Sequence, residues 1–84
     1  MDLSDAIRLR INNLLKEHNL TISKLSTLAG ISRSTLTRFL NGQRNFIRLD
    51  MLEYISEALN MTIRDFFNDD VFNNIDMNEW INLF

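Results

Sequence analysis

The chain has 84 residues, 45% of them hydrophobic, which suffices for one small domain with one core and leaves no room for a second. It contains no cysteine and a single histidine, His18, so disulfides and thiolate metal sites are excluded, and we expect no structural metal. The formal net charge of −2 at pH 7, taken alone, argues against a nucleic-acid-binding protein.

The charges are unevenly distributed along the chain. Residues 1–48 carry eight Lys and Arg and three acids, a net charge of +5, whereas residues 49–84 carry one Arg and eight acids, a net charge of −7. A polyanion would therefore attract one side of the molecule and repel the other.

Few residues interrupt helices, because proline is absent and glycine occurs only at positions 30 and 42. This composition predicts an all-α fold. No apolar run exceeds three residues, and polar residues follow Met1, so neither a membrane span nor a secretory signal is indicated. We expect a soluble, cytoplasmic protein without a membrane partner.

The first helix is predicted over residues 4–18, where apolar residues recur at spacings of three and four. This stripe consists of Leu3, Ile7, Ile11 and Leu14. Arg8 and Arg10 lie off the stripe.

A helix-turn-helix is predicted next. Thr21 is placed to cap the second helix and Ser32 the third, and Gly30 stands where a helix end needs a left-handed residue. The buried side of the second helix is predicted to contain Ile22, Leu25, Leu28 and Ala29.

The third helix, residues 32–41, has two distinct faces. At about 100° per residue, Leu36, Phe39 and Leu40 cluster on one side. The opposite side carries Arg33, Ser34, Thr37, Arg38 and Asn41. Gly42 ends the helix, and a basic loop follows at residues 43–48.

Two further helices and a tail complete the prediction. The fourth helix, residues 49–59, is expected to expose an acidic face formed by Asp50, Glu53 and Glu57. Thr62 with Asp65 forms a capping box that starts a short fifth helix. That helix is expected to bring Ile63, Phe66 and Phe67 onto the core. Residues 68–75 are interpreted as a polar connector before a final helical turn.

These elements predict a compact five-helix bundle with a short C-terminal helical tail, divided into a helix-turn-helix domain at 1–67 and an extension at 68–84. The chain resembles the Xre family of helix-turn-helix regulators, which includes phage repressor and Cro-type DNA-binding domains. The resemblance spans about residues 7–67 and implies a lambda-repressor-like fold. Its most specific elements are Gly30-Ile31-Ser32, Asn41-Gly42, Arg44 and the ending at residues 62–67.

The resemblance implies that the helix at 32–41 enters the major groove of double-stranded DNA. The matching base-contact positions are Arg33, Ser34, Thr37 and Arg38. Arginine favours guanine, because its planar fork donates to both O6 and N7. The matching phosphate-contact positions are Thr21, Ser23, Asn41, Arg44, Asn45 and Arg48. Arg8, Arg10 and Lys16 are weak candidates for DNA contact, because the first helix lies farther from the groove in this architecture. No catalytic residue and no cofactor are implied.

Two departures from the family pattern stand out. Relatives usually have Gln at the position of Ile22, where it contacts the DNA backbone, so one such contact is expected to be lost here. Many relatives also place an ion pair where this chain has Leu15 and Leu40. Replacing both partners of a buried pair by apolar groups is often neutral, so we predict that these two leucines touch.

The apolar tail allows two interpretations. It folds back on its own domain, or it forms a dimer interface through Trp80, Ile81 and Phe84. We favour the dimer, because specific binding usually requires two recognition helices roughly 34 Å apart on an inverted-repeat operator.

Two functions follow from these patterns. The favoured one is a dimeric, sequence-specific DNA-binding transcriptional regulator, a repressor by family habit, with no enzymatic activity. The alternative is a protein-interaction module, such as an antitoxin-like or anti-repressor chain, that binds a protein partner through its tail and acidic face.

Overall fold

The computed structural model describes residues 1–76, and within them it contains five α-helices, one 3-10 helix and no strand. The helices are α1 (Leu3–Glu17), α2 (Ile22–Ala29), α3 (Arg33–Leu40), α4 (Leu49–Ala58), α5 (Ile63–Phe67) and the 3-10 helix Asp70–Asn74. The predicted all-α, five-helix fold is confirmed. The predicted tail contacts Trp80, Ile81 and Phe84 lie outside the described residues.

Side-chain caps define where the helices begin. The hydroxyls of Thr21, Ser32 and Thr62 each accept a hydrogen bond from the backbone N–H three residues later, at 3.0, 3.5 and 3.0 Å. The Asp65 carboxylate in turn accepts from the Thr62 N–H at 3.0 Å, so the predicted capping box is present. Gly30 has a φ of +69°, as the left-handed end of α2 requires.

One hydrophobic core joins the five helices. Its innermost members come from every helix, and they are Ile11, Leu14, Leu25, Leu36, Phe39, Leu52, Ile55 and Phe66. Leu15 is buried in this core and Leu40 packs against it. The two leucines therefore belong to one apolar cluster, and their direct contact stays a prediction.

Three residues predicted to face the core do not. Leu3 and Leu28 are each 50% exposed, and Ile63 is 42% exposed. In α2 the buried side is centred between Leu25 and Ser26, which is only 3% exposed. Leu28 lies about 160° from Ser26 around the helix, so it points to solvent. Leu3 and Ile63 are the first residues of their helices and extend past the core.

The segment predicted as a polar connector is folded onto α1. Phe72 of the 3-10 helix lies 5.0 Å from the Phe67 ring and 6.2 Å from the Phe66 ring, measured between centroids. Asp69 caps this helix by accepting from the Val71 N–H at 3.0 Å. Among residues 1–76, no helix is both long and apolar enough to cross a membrane.

Arg10 attaches that segment to α1 and is buried, not a surface charge. Its Nε donates to the carbonyl oxygen of Phe66 at 2.8 Å, its Nη2 to that of Asp65 at 3.1 Å, and its Nη1 pairs with Asp69 at 2.9 Å. With 6% exposure it has no surface for a DNA contact. The pattern of α1 alone did not indicate this, because the partners lie more than 50 residues away.

Candidate nucleic-acid interface

Helix α3 packs one face on the core and leaves the other face free. Leu36 and Phe39 are each 1% exposed, and this burial fixes how the helix is rotated. Arg33, Ser34 and Arg38 consequently point to solvent, and Thr37 is half-buried between the two faces. The apolar and polar side chains of α3 therefore lie on opposite faces of the helix, as the sequence pattern predicted.

The exposed face of α3 forms one wall of an open depression of about 500 Å³. The residues that line it are Arg33, Ser34, Thr37, Arg38 and Gln43. All four predicted base-contact residues are thus brought together at one exposed surface. Gln43 was not predicted as a site residue, because it follows Gly42 and lies outside the helical periodicity.

Within the described part of the chain, neither Arg33 nor Arg38 takes part in an ion pair. Their guanidinium groups are therefore not neutralised by any described acid and can donate to an external acceptor. Ser34 already shares a hydrogen bond with Ser32, with 2.9 Å between the hydroxyl oxygens, so it has less capacity to spare.

The loop after α3 is held in place through its backbone. The Arg44 N–H donates to the carbonyl oxygen of Arg38 at 3.1 Å, and the Asn45 carbonyl accepts from the Ser4 hydroxyl at 2.6 Å. The side-chain amide oxygen of Asn41 accepts from the Gln43 N–H at 3.1 Å. These bonds occupy backbone groups and leave the side chains of Arg44 and Asn45 exposed.

Arg8 is the main anchor of this loop. Its Nε donates to the Phe39 carbonyl at 2.6 Å and its Nη2 to the Arg44 carbonyl at 2.9 Å, and its guanidinium lies 4.8 Å from the Phe39 ring centre. Nη1 pairs with Asp5 at 3.0 Å. Arg8, a weak DNA-contact candidate in the sequence, is thus turned inward and joins α1 to the loop.

The remaining predicted phosphate contacts are also on the surface, with differing partners. Thr21 and Ser23 are exposed at the start of α2. Arg48 is 69% exposed but pairs with Asp50 at 2.7 Å, so a phosphate must compete with this carboxylate. Ile22, between the two hydroxyl residues, is half-buried and packs on the core.

The fold has a counterpart among solved structures. It matches a chain of the complex between SinR protein and SinI protein with a TM-score of 0.67 and 25% identity, over 92% of this chain and 73% of the matched chain. A comparison with curated protein sequences gives no match.

The sequence also matches a family model described as the Cro/C1-type HTH DNA-binding domain, over residues 10–70. This region runs from α1 into the 3-10 helix and includes the helix-turn-helix and the loop after α3. The match confirms the resemblance seen in the sequence and covers well over half of the chain. The chain belongs to the family of Cro/C1-type helix-turn-helix DNA-binding domains.

Proposed function

We propose that this protein is a sequence-specific transcriptional regulator, acting as a repressor, that inserts α3 into the major groove of double-stranded DNA. One observation carries the proposal: four side chains predicted to contact bases line a single open depression, and its two arginines have no acidic partner among residues 1–76. Membership in a DNA-binding family supports the same conclusion. The proposed activity involves no catalytic step.

Base recognition is assigned to the exposed face of α3. Arg33 and Arg38 each have a guanidinium able to donate to O6 and N7 of guanine, which is a common specific contact in the major groove. Ser34 and Thr37 supply hydroxyls for either bases or phosphates. We therefore expect the recognised half-site to contain guanine.

Phosphate contact is assigned to the two segments that border the depression. These residues are Thr21, Ser23, Asn41, Arg44, Asn45 and Arg48. Because the backbone around Arg44 and Asn45 is already hydrogen-bonded, binding DNA there orders little additional chain, which lowers the entropic cost of association. The net charge of +5 in residues 1–48 favours this side for a polyanion.

Binding as a homodimer to an inverted repeat is part of the proposal. A single α3 spans only a few base pairs, and two copies one helical turn apart recognise a longer site. The interface is assigned to Trp80, Ile81 and Phe84, in the extension at 68–84 that follows the helix-turn-helix domain at 1–67. Removing the whole extension would also remove Phe72, which packs on the core. The test therefore substitutes Ser for these three residues only. Sedimentation should then show monomers, and an unchanged dimer would contradict the assignment.

Selection of bound sites from random duplex DNA tests the proposed function. We expect an enriched inverted repeat whose half-sites contain guanine and whose centres lie about 10 base pairs apart. This one result would establish specificity, symmetry and spacing. A pool that returns no preferred motif would contradict the proposal.

A second candidate function is a protein-interaction module. Two observations favour it: the matched structure is a complex of one protein with another, and Ile22 packs on the core where relatives usually have Gln. In this alternative, a protein partner binds the acidic face of α4 and the tail. The alternative expects a variant lacking Arg33 and Arg38 to keep its activity, whereas the DNA-binding function expects that variant to lose sequence discrimination.

A further inference from the structure

Gln43 lines the same depression as the predicted base-contact residues, yet it lies outside the helix that carries them. We propose that Gln43 reads an adenine in the major groove, beside the base pairs contacted by α3. The inference rests on the proposed function and extends it, since it places part of the sequence specificity in the loop after α3.

The backbone on both sides of Gln43 is fixed, as direct base recognition requires. Its own N–H donates to the Asn41 side-chain oxygen at 3.1 Å, and the next N–H, that of Arg44, donates to the Arg38 carbonyl at 3.1 Å. Gly42 has a φ of +84° and reverses the chain at the end of α3. The reversal places Gln43 beside the exposed face of that helix.

The chemistry of the five lining residues distinguishes Gln43 from its neighbours. Arg33 and Arg38 only donate, and they suit guanine or phosphate. Among the described residues that line the depression, Gln43 alone has a side-chain amide, which presents a donor and an acceptor side by side. That pair matches the N6 donor and N7 acceptor of adenine in the major groove. Gln43 is exposed, so the amide is available to an incoming base.

A neutral amide also contributes differently from the arginines to affinity. Because the amide carries no charge, replacing it does not change the number of counterions that are released when DNA binds. A base contact by Gln43 therefore affects discrimination at one base pair and leaves the salt dependence of binding unchanged. This separates it from the phosphate contacts assigned to Arg44 and Arg48.

The test uses the full chain, the operator obtained by site selection and a set of operators with single base-pair changes. For Gln43→Ala we expect the preference for A·T at one position of each half-site to fall by about 5-fold to 100-fold, with affinity for random DNA and the salt slope unchanged. Gln43→Arg should shift the preference at that same position towards G·C. Asn73→Ala, which removes an exposed amide of the 3-10 helix, is the matched control and should change neither quantity.

Each other outcome overturns the inference. Equal weakening by Gln43→Ala on every sequence would make Gln43 a phosphate contact, and an unchanged preference would leave it with no DNA contact. A changed preference at a G·C position would exclude adenine. If the wild-type protein selects no motif, the proposed function is overturned as well. If the wild-type protein selects a motif and Gln43→Ala has the same base preference, this inference alone is overturned.

Discussion

The guanidinium of Arg8 donates to the carbonyl oxygen of Phe39 at 2.6 Å and joins α1 to the last turn of α3. A second bond from the same side chain reaches the Arg44 carbonyl at 2.9 Å. One arginine on α1 therefore positions both the end of α3 and the loop that follows it. In the proposed mode of DNA binding, the role of Arg8 is indirect.

Replacing Arg8 by Ala should destabilise the fold and loosen this loop. A hydrogen bond that involves a charged donor contributes about 1.5–3 kcal/mol, so we expect a loss of about 2 kcal/mol in the free energy of unfolding. Urea denaturation measures this loss, and amide exchange at Arg44 should become faster. Lys16→Ala, an exposed substitution on the same helix, is the control. An unchanged exchange rate at Arg44 would show that Arg8 does not hold the loop.

Arg10 should contribute more to stability than Arg8, because it is more deeply buried. Arg10→Ala removes the hydrogen bonds that the guanidinium donates to the carbonyl groups of Asp65 and Phe66 and to the carboxylate of Asp69. Breaking a buried pair by removing one partner costs about 3–5 kcal/mol, and Asp69 can partly recover solvent, so we expect about 3 kcal/mol.

Asp69→Asn is the matched test of the ion pair within that cluster. The single amide oxygen still accepts from Arg10, whereas the second oxygen, which accepts from the Val71 N–H, is lost together with the charge. The cost should be about 1 kcal/mol. Equal losses for the two substitutions in urea denaturation would contradict a contribution from the carbonyl contacts of Arg10 beyond the ion pair.

The stability of α5 should depend on pH through Asp65. The backbone N–H of Thr62 donates to its carboxylate and holds the pKa of Asp65 below its ordinary value in the folded state. A depressed pKa stabilises the fold above the unfolded pKa, and this stabilisation is lost as the pH falls through the folded pKa. We expect the loss below about pH 4.

Comparison of wild type with Asp65→Asn isolates this contribution. The difference between their free energies of unfolding should narrow as the pH is lowered from about 7 to about 3, because the protonated carboxyl no longer binds the N–H as a charge. Urea denaturation at a series of pH values measures it. A constant difference would show that the capping carboxylate does not stabilise the fold.

The affinity for DNA should depend strongly on salt. If a dimer engages about six to eight phosphates, log affinity against log salt concentration should fall with a slope of roughly −5 to −7. Arg44→Ala should make the slope shallower by about 2 for the dimer, one phosphate in each subunit. Fluorescence anisotropy at several salt concentrations measures both values. An affinity independent of salt would contradict phosphate contact on the basic side.

Local features of the fold could be predicted from the sequence, and long-range features could not. The caps at Thr21, Ser32 and Thr62 depend on residues three positions apart, so the motif shows them directly. The bonds of Arg10 join residues more than 50 positions apart, which no periodicity reveals. Leu28 was placed on the wrong side because burial of Ser26 displaces the centre of the buried face.

The candidate site shows the same division. The four base-contact candidates share one helix face, and regular helical geometry was sufficient to group them. Gln43 joins them only because Gly42, with its positive φ, turns the chain back beside that face. Whether a glycine ends a helix is readable from the sequence, but the direction of the chain after it is set by the contacts of Arg8, Ser4 and Asn41.

The central claim is that the exposed face of α3 reads DNA sequence, and the Arg33→Ala/Arg38→Ala double variant tests it most directly. Its matched control, Lys16→Ala/Arg64→Ala, removes the same charge from exposed positions outside the depression. Affinity for the selected operator and for random DNA is measured for both. We expect the first variant to lose about 1–3 kcal/mol of discrimination per lost base contact and the control to keep it. Equal discrimination in the double variant and the wild type would contradict the claim.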